Sequence, residues 1–330
     1  MLMADMIRAT GLVKRYKGVE ALSGLDLAVP EGTVLGLLGP NGAGKTTAVR
    51  ILATLLKADG GTAEVAGIDV AKDPDGVKAR IGLSGQYAAV DEYLTGFENL
   101  DMIGRLYGLG RSASRTRARE LLERFDLAEA GDRPSKTYSG GMRRRLDLAG
   151  ALVAAPPVLI LDEPTTGLDV RARQQMWGVI QELVDSGATL LLTTQYLEEA
   201  DLLADDIVVI DSGRAIARGT ADELKSRTGG ERVEIVVADP AHRDTAARIL
   251  AGVAIGDVQV DANGRGVAAP VTDGARQLAV VLQGLQDEHV AVVDIGLRRP
   301  TLDDVFLSLT GHAAERESAT ETDEQEEASA

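Results

Sequence analysis

Gly-Pro-Asn-Gly-Ala-Gly-Lys-Thr, residues 39–46, stands between an apolar run at 34–38 and a stretch at 47–56 whose apolar residues recur with helical spacing. This order of strand, glycine loop and helix fits the pattern G-x-x-x-x-G-K followed by Ser or Thr. Glycines let backbone N–H groups turn inward around phosphate oxygens, because no Cβ stands in the way. We therefore expect Lys45 to supply positive charge to the β- and γ-phosphates of a nucleotide, and Thr46 to offer a hydroxyl to Mg²⁺.

Two further apolar runs also end in polar residues. The run at 158–161 leads into Asp162-Glu163, and the run at 189–193 leads to Gln195. The alternation of strands and helices predicts an α/β core with a largely parallel sheet, whose strand ends converge on one site. Asp162 is a candidate Mg²⁺ ligand through water, and Glu163 a candidate general base for an attacking water. Alone, such an acidic pair is as often a helix cap; the glycine loop favours the catalytic interpretation.

The composition favours a soluble globular protein with more than one domain. The chain has 330 residues, of which 45% are hydrophobic and 26% charged. Its formal net charge of −16 disfavours general nucleic-acid binding, because a negative field repels phosphate backbones. The sequence contains no cysteine, which excludes disulfides and thiolate metal sites. No apolar run approaches the roughly 20 residues that span a bilayer, so we expect neither a transmembrane helix nor a signal peptide.

The pattern along the chain divides it into three parts. We expect residues 6–229 to form a nucleotide-binding domain, with a charged helical subdomain at about 95–155 inserted beside the sheet. After Gly229-Gly230 the apolar pattern restarts in the order βαββαβ, which predicts a small ferredoxin-like α+β domain over 230–311. The last stretch, 312–330, holds seven acidic residues against one arginine and no large apolar side chain. Such a composition predicts an acidic disordered tail.

A second anion-binding turn completes the pattern. Ser139-Gly140-Gly141 lies about 20 residues before Asp162 and is typical of a helix N-terminus with a serine cap. With the glycine loop and the acidic pair, it makes the chain similar to the ATP-binding-cassette (ABC) ATPases, whose signature has Ser-Gly-Gly at its centre. Met142 stands where that signature commonly has glutamine, which removes a possible polar contact to a facing nucleotide. We expect the three arginines at 143–145 on the helix surface, in the field of the phosphates.

The resemblance implies a P-loop ABC ATPase domain that works as a homodimer. Two copies would sandwich ATP head to tail, the glycine loop of one facing the signature of the other. By the same resemblance Tyr16 stacks on adenine, Gln86 touches Mg²⁺ and reports nucleotide state to a membrane partner, and Asp169 links the two sites. Gln195 stands where most of the family has histidine. Glutamine can donate a hydrogen bond to the γ-phosphate but carries no proton near pH 7, so Glu163 has to be the base.

These motifs together define the candidate site residues, with ATP and Mg²⁺ as the implied ligands. The predicted catalytic residues are Glu163, Gln195 and Lys45. The predicted Mg²⁺ ligands are Thr46, Gln86 and Asp162. The expected nucleotide contacts are Tyr16, Gly39, Pro40, Asn41, Gly42, Ala43, Gly44, Lys45, Thr46 and Thr47. The signature that faces the other subunit is Ser139, Gly140, Gly141 and Met142.

Four stretches narrow the resemblance to the daunorubicin-resistance type of drug-export ATPase, in which Gln195 is usual. They are residues 85–88, 138–145, 193–200 and 302–307. The resemblance implies an ATPase at the cytoplasmic face of the cell membrane, docked on a separately encoded permease and driving efflux of hydrophobic, drug-like compounds. The alternatives are an importer or lipid-transport ATPase subunit and a soluble, non-transport ABC ATPase. A P-loop kinase or GTPase is disfavoured, because it would not need the Ser-Gly-Gly turn.

Overall fold

The computed structural model describes residues 4–85, 89–227, 231–261, 263–298 and 301–310. Contacts divide the chain into two compact units, with the division between Arg218 and Gly219. This division lies before the boundary expected at 229, because the helix at Ala221–Arg227 packs against the helix at Leu302–Thr310. The stretch 312–330, predicted to be a disordered tail, lies outside the described residues.

The first unit alternates strands and helices. Its strands are β1 (Asp5–Tyr16), β2 (Val19–Pro30), β3 (Val34–Leu38), β4 (Gly60–Val65), β5 (Ile68–Asp69), β6 (Ile81–Ser84), β7 (Val158–Asp162), β8 (Thr189–Thr194), β9 (Asp206–Asp211) and β10 (Arg214–Gly219). Its α-helices are α1 (Lys45–Leu52), α2 (Pro74–Lys78), α3 (Gly96–Leu106), α4 (Arg111–Arg124), α5 (Gly140–Ala151), α6 (Val170–Asp185) and α7 (Leu197–Leu203).

A six-stranded sheet forms the centre of this unit, in the order β10-β9-β3-β8-β7-β6. Strands β3, β7 and β8 pair in parallel with their neighbours in this sheet and are buried along their whole length. Continuous apolar runs such as these are what a parallel sheet needs when both of its faces are covered. The register places Asp162 beside Thr193, and Leu38 beside Thr194. The carboxyl ends of the three strands therefore meet at one edge, as the sequence predicted.

The two faces of the parallel sheet contact separate apolar cores. Side chains alternate, so that Leu37 and Ile160 belong to one core while Leu159 and Leu161 belong to the other. The first core is closed by helix α1 and by an antiparallel sheet, β2-β1-β4-β5, which the sequence did not predict. The second core is closed by helices α3 to α6 and is centred on fully buried side chains such as Phe125. Among the described helices, none is both long and apolar enough to cross a bilayer.

The second unit follows the predicted order of elements. It contains α8 (Ala221–Arg227), β11 (Arg232–Val237), α9 (Arg243–Ala251), β12 (Gln259–Val260), β13 (Gly266–Pro270), α10 (Gly274–Asp287), β14 (Val292–Arg298) and α11 (Leu302–Thr310). Its sheet is antiparallel with the order β12-β13-β11-β14, and its core includes apolar residues of α9 and α10. The βαββαβ order from β11 to β14 confirms the predicted ferredoxin-like fold.

Candidate active site

The glycine loop joins β3 to α1 and needs glycine at defined positions. Gly42 and Gly44 have φ angles of +82° and +109°, a region that residues with a Cβ rarely adopt. A Cβ on Gly44 would also meet the carbonyl oxygen of Ala21 and the side chain of Leu22. The cavity at this loop is lined by Ala21, Asn41, Gly42, Ala43, Gly44, Lys45, Thr46, Thr47 and Glu163. The backbone of the loop thus lines a cavity at the start of a helix, where an anion is favoured.

Lys45, the first residue of α1, binds the backbone at the start of the glycine loop. Its Nζ donates to the carbonyl oxygens of Gly39, at 2.7 Å, and Pro40, at 3.2 Å. The same Nζ lies 3.2 Å from Oε1 of Glu163, and only 4% and 7% of the two side chains are exposed. The predicted lysine and the predicted base are therefore an ion pair across the two motifs.

The two described residues predicted for Mg²⁺ come together at the end of β7. Oδ1 of Asp162 accepts from Oγ1 of Thr193 at 2.6 Å and from Oγ1 of Thr46 at 3.4 Å. A hydroxyl and a carboxylate oxygen are hard ligands of the kind that Mg²⁺ takes alongside water and phosphate oxygens. This pair of oxygens fits Mg²⁺. Gln86, the third predicted ligand, lies outside the described residues.

Glu163 has a strained backbone. Its φ angle is +50°, in the left-handed region, which for a residue with a Cβ costs of order 1–3 kcal/mol. Its N–H donates to the carbonyl oxygen and to Oγ1 of Thr193, each at 3.1 Å, and Oε2 accepts from Oγ1 of Thr166 at 3.3 Å. Thr193 thus holds the backbone of Glu163, while Thr166 and Lys45 hold its carboxylate.

Two other predicted residues lie at the ends of strands. Gln195 directly follows β8 and is half-buried, and the Gly39 N–H donates to the carbonyl oxygen of its neighbour Thr194 at 3.4 Å. Gln195 is thus next to the start of the glycine loop. Tyr16 ends β1 with 44% of its surface exposed, and the Lys14 ammonium lies 5.8 Å from the centre of its ring. Stacking of Tyr16 on adenine stays a prediction.

The signature forms a second cavity between two helix N-termini. Ser139 caps α5, its Oγ accepting from the Met142 N–H at 3.3 Å. Asp169 caps α6, its Oδ1 accepting from the Ala172 N–H at 2.7 Å. Both caps line one cavity, together with Gly140, Gly141, Met142, Arg145, Gly167, Leu168, Arg171, Ala172 and Gln175. This cavity shares no lining residue with the one at the glycine loop, so the two cavities of one chain are separate.

The arginines after the signature do not all lie on the surface. Arg143 and Arg145 reach the exposed residues Glu92 and Asp126. Arg144 is only 6% exposed, and the expectation that it lies on the helix surface is wrong. It lies one turn before the buried Leu148 on α5, and that spacing is the signal that could have placed it inside.

Sequence reasoning also missed two buried carboxylates. Glu199, on α7, accepts from Oγ1 of Thr165 at 2.8 Å and from Nε1 of Trp177 at 3.0 Å. Burial raises the pKa of Glu199, because removal from water disfavours the charged form. Burial likewise raises the pKa of Asp147, on α5. Glu199 connects α7, which follows Gln195, to the loop after Glu163.

The glycine loop and the Ser-Gly-Gly turn, on a parallel sheet with a helical layer, are those of the ATP-binding subunit of an ABC transporter. A family model described as ABC transporter matches residues 22–166, and one described as ATP-binding protein DrrA1-3-like, C-terminal domain, matches residues 219–310. The chain belongs to the family of daunorubicin-resistance ABC ATP-binding proteins, and as a member of it binds and hydrolyses ATP. This confirms the resemblance inferred from the sequence.

Relatives of known name cover nearly the whole chain. The chain is 60% identical over 315 residues to the daunorubicin resistance ATP-binding protein DrrA2 of Streptomyces coeruleorubidus, covering 96% of this chain and 98% of that protein. It is 52% identical to the daunorubicin/doxorubicin resistance ATP-binding protein DrrA of Streptomyces peucetius, covering 97% of each chain. A solved dimeric structure of a bacterial ABC transporter cassette superposes with a TM-score of 0.60 at 25% identity, over 65% of this chain and 98% of that one.

Proposed function

We propose that this chain is the ATP-hydrolysing subunit of an exporter, and that it drives efflux of hydrophobic, drug-like compounds through a separate membrane permease. Two observations support the proposal together. The glycine loop and the acidic pair form one site around Lys45 and Glu163. The relatives, which match the chain through its second unit as well as its first, are named for resistance to daunorubicin or doxorubicin.

ATP binds at the glycine loop in this proposal. The N-terminus of α1 and the ammonium of Lys45 provide the positive field for the β- and γ-phosphates. Thr46 and Asp162 would hold Mg²⁺, with Gln86 as a further ligand, and the bound ion would supply positive charge to the phosphates. Tyr16 stacks on the adenine ring.

Glu163 is the general base that takes a proton from the attacking water. Its carboxylate is buried and is held by Lys45 and by the hydroxyl of Thr166. Gln195, next to the glycine loop, donates a hydrogen bond to the γ-phosphate. It takes no part in proton transfer, since an amide does not titrate near pH 7.

A homodimer completes each site. The glycine-loop cavity and the signature cavity are separate in one chain, so an ATP held by Lys45 meets Ser139 and Gly141 of a second copy. Asp169 lies in the signature cavity and connects the two sites across the dimer. The dimeric cassette among the similar structures supports this arrangement.

Transport is tested in cells that lack the chain. Cells complemented with the parent chain should accumulate less daunorubicin than cells complemented with Glu163→Gln at equal expression. A tagged parent chain, isolated from membranes in mild detergent, should bring down a polytopic membrane protein in comparable amount. Recovery only from the soluble fraction, with ribosomes or with no partner, would contradict the transport role and favour a non-transport ATPase. An unchanged drug level with a co-purifying permease would favour an importer or a lipid transporter.

A further inference from the structure

The backbone at residues 162–164 is hydrogen-bonded to one buried guanidinium. The carbonyl oxygens of Asp162, Glu163 and Pro164 all accept hydrogen bonds from Arg144, on α5. Nε donates to Pro164 at 2.7 Å, while Nη2 donates to Glu163 at 3.0 Å and to Asp162 at 3.2 Å. Three successive carbonyls turned toward one side chain are not the pattern of an extended strand, in which successive carbonyls alternate.

This convergence occurs where the backbone turns left-handed, at Glu163 with its φ angle of +50°. Such a conformation in a residue with a Cβ persists only when its surroundings over-determine it. Thr193 binds the N–H of Glu163, and Arg144 binds its carbonyl oxygen. The peptide groups on both sides of the strained residue are therefore hydrogen-bonded, and Arg144 donates on the carbonyl side.

The surroundings of Arg144 keep its orientation constant. Its Nη1 also donates to the carbonyl oxygen of Gly85 and lies 3.7 Å from Oδ2 of Asp147, one turn along α5. Asp147 in turn accepts from Oγ of Ser84 at 2.6 Å and from the N–H of Ala89 at 2.7 Å. The guanidinium is planar and rigid, so these partners on several sides leave it one orientation.

We propose that Arg144 is a positioning residue for ATP hydrolysis, which holds the left-handed backbone at Glu163 and thereby aims its carboxylate at the attacking water. The inference rests on the proposed role of Glu163 as the base. Arg144 does not itself line the glycine-loop cavity; it acts through three carbonyl oxygens, one of them on Glu163, which lines it. Because Arg144 lies on the helix that Ser139 caps, the signature of a chain is also anchored to the backbone of its own base.

Arg144→Met and Arg144→Lys test the proposal. We expect the Met variant to bind ATP with parent affinity and unchanged KM, while kcat falls by about 10²-fold, the effect of misplacing a catalytic group by a small distance. Lysine keeps the charge beside Asp147 but lacks the planar fork, so the Lys variant should fold like the parent and still lose kcat. Arg117→Met is the matched control, because Arg117 also donates to a backbone carbonyl, that of Leu152, at 3.1 Å.

A double variant separates positioning from stability. Arg144→Met leaves the carboxylate of Asp147 buried without its cation, and Arg144→Met/Asp147→Asn removes that charge. We expect the double variant to regain thermal stability while kcat stays low. Recovery of kcat in parallel with the melting temperature in the double variant would overturn the proposal. Parent kcat in both Arg144→Met and Arg144→Lys would also overturn it.

Glu163→Gln distinguishes this inference from the function on which it rests. If Glu163→Gln hydrolyses ATP at the parent rate, Glu163 is not the base and the proposed function fails at that point. If Glu163→Gln is inactive while the Arg144 variants keep parent kcat, only the role of Arg144 fails.

Discussion

The ammonium of Lys45 lies 3.2 Å from the carboxylate of Glu163, and both side chains are almost completely buried. The phosphate-binding lysine and the proposed base are thus direct partners. In the proposed function, a γ-phosphate that binds Lys45 competes with this ion pair.

Lys45→Met should weaken ATP binding by about 10- to 150-fold, the effect of losing one charge-assisted hydrogen bond of about 1.5–3 kcal/mol. Equilibrium titration with a fluorescent ATP analogue measures this directly. Lys78→Met is the control, since Lys78 pairs with Asp75 on α2, outside the loop cavity. Equal loss in both variants would show that charge alone, not the position of Lys45, controls binding.

Gln195→Ala should lower kcat, because the γ-phosphate loses a hydrogen-bond donor at the end of β8. The expected loss is about 10-fold, the effect of one hydrogen bond worth 1–2 kcal/mol. Gln195→His should be tolerated, because an imidazole also offers an N–H donor. Steady-state ATPase assays of the three proteins decide the matter; an alanine variant as fast as the parent would remove Gln195 from the site.

Ser139 has two roles that substitutions can separate. Ser139→Ala removes the cap of α5 and should lower stability by about 1 kcal/mol, whereas Ser139→Asp keeps a capping oxygen and should fold as stably as the parent. The aspartate nevertheless places a negative charge where the facing nucleotide binds, so ATPase activity should fall by more than about 10-fold. Thermal unfolding and ATPase rate, measured on both variants, test this. A fully active Ser139→Asp variant would contradict the facing-signature arrangement.

The pH dependence of stability should report the buried Glu199. Its pKa in the folded chain is raised above the ordinary 4.5 by burial, so the folded chain holds a proton that the unfolded chain releases. This contribution to stability is present below pH 4.5 and is lost as pH rises through the folded pKa. Glu199→Gln cannot titrate, so it should gain stability relative to the parent as pH rises, by about 1.4 kcal/mol per pH unit between the two pKa values. Denaturant unfolding at several pH values measures the difference; a constant difference would contradict it.

The sequence predicted those features that short local patterns specify. The glycine loop, the acidic pair after β7 and the βαββαβ order all follow from motifs or from the period of apolar residues. The antiparallel sheet was missed because bulges break the alternation in β1, at points such as between Ala9 and Leu12.

Contacts between distant residues were beyond these patterns. The Lys45–Glu163 pair and the bonds from Arg144 join segments that only the folded sheet and helix α5 bring together. The prediction that Arg144 lies on the surface was wrong because a run of arginines is typical of a solvated helix face. The inward face of α5 has to be identified before the arginines are placed. Glu199 was missed for the same reason, because Glu198-Glu199 is typical of a charged surface segment. Its burial is indicated by Leu197, Ala200 and Leu203, which mark the buried side of α7.

The central claim is that two copies of the chain close around ATP and that Glu163 lets them reopen by hydrolysis. Sedimentation of Glu163→Gln with ATP and Mg²⁺ tests it most directly. We predict a stable dimer that retains ATP. No dimer should form with ADP, or with ATP when the same chain also carries Ser139→Asp. A Glu163→Gln chain that stays monomeric in saturating ATP, or that hydrolyses ATP at the parent rate, would contradict the account.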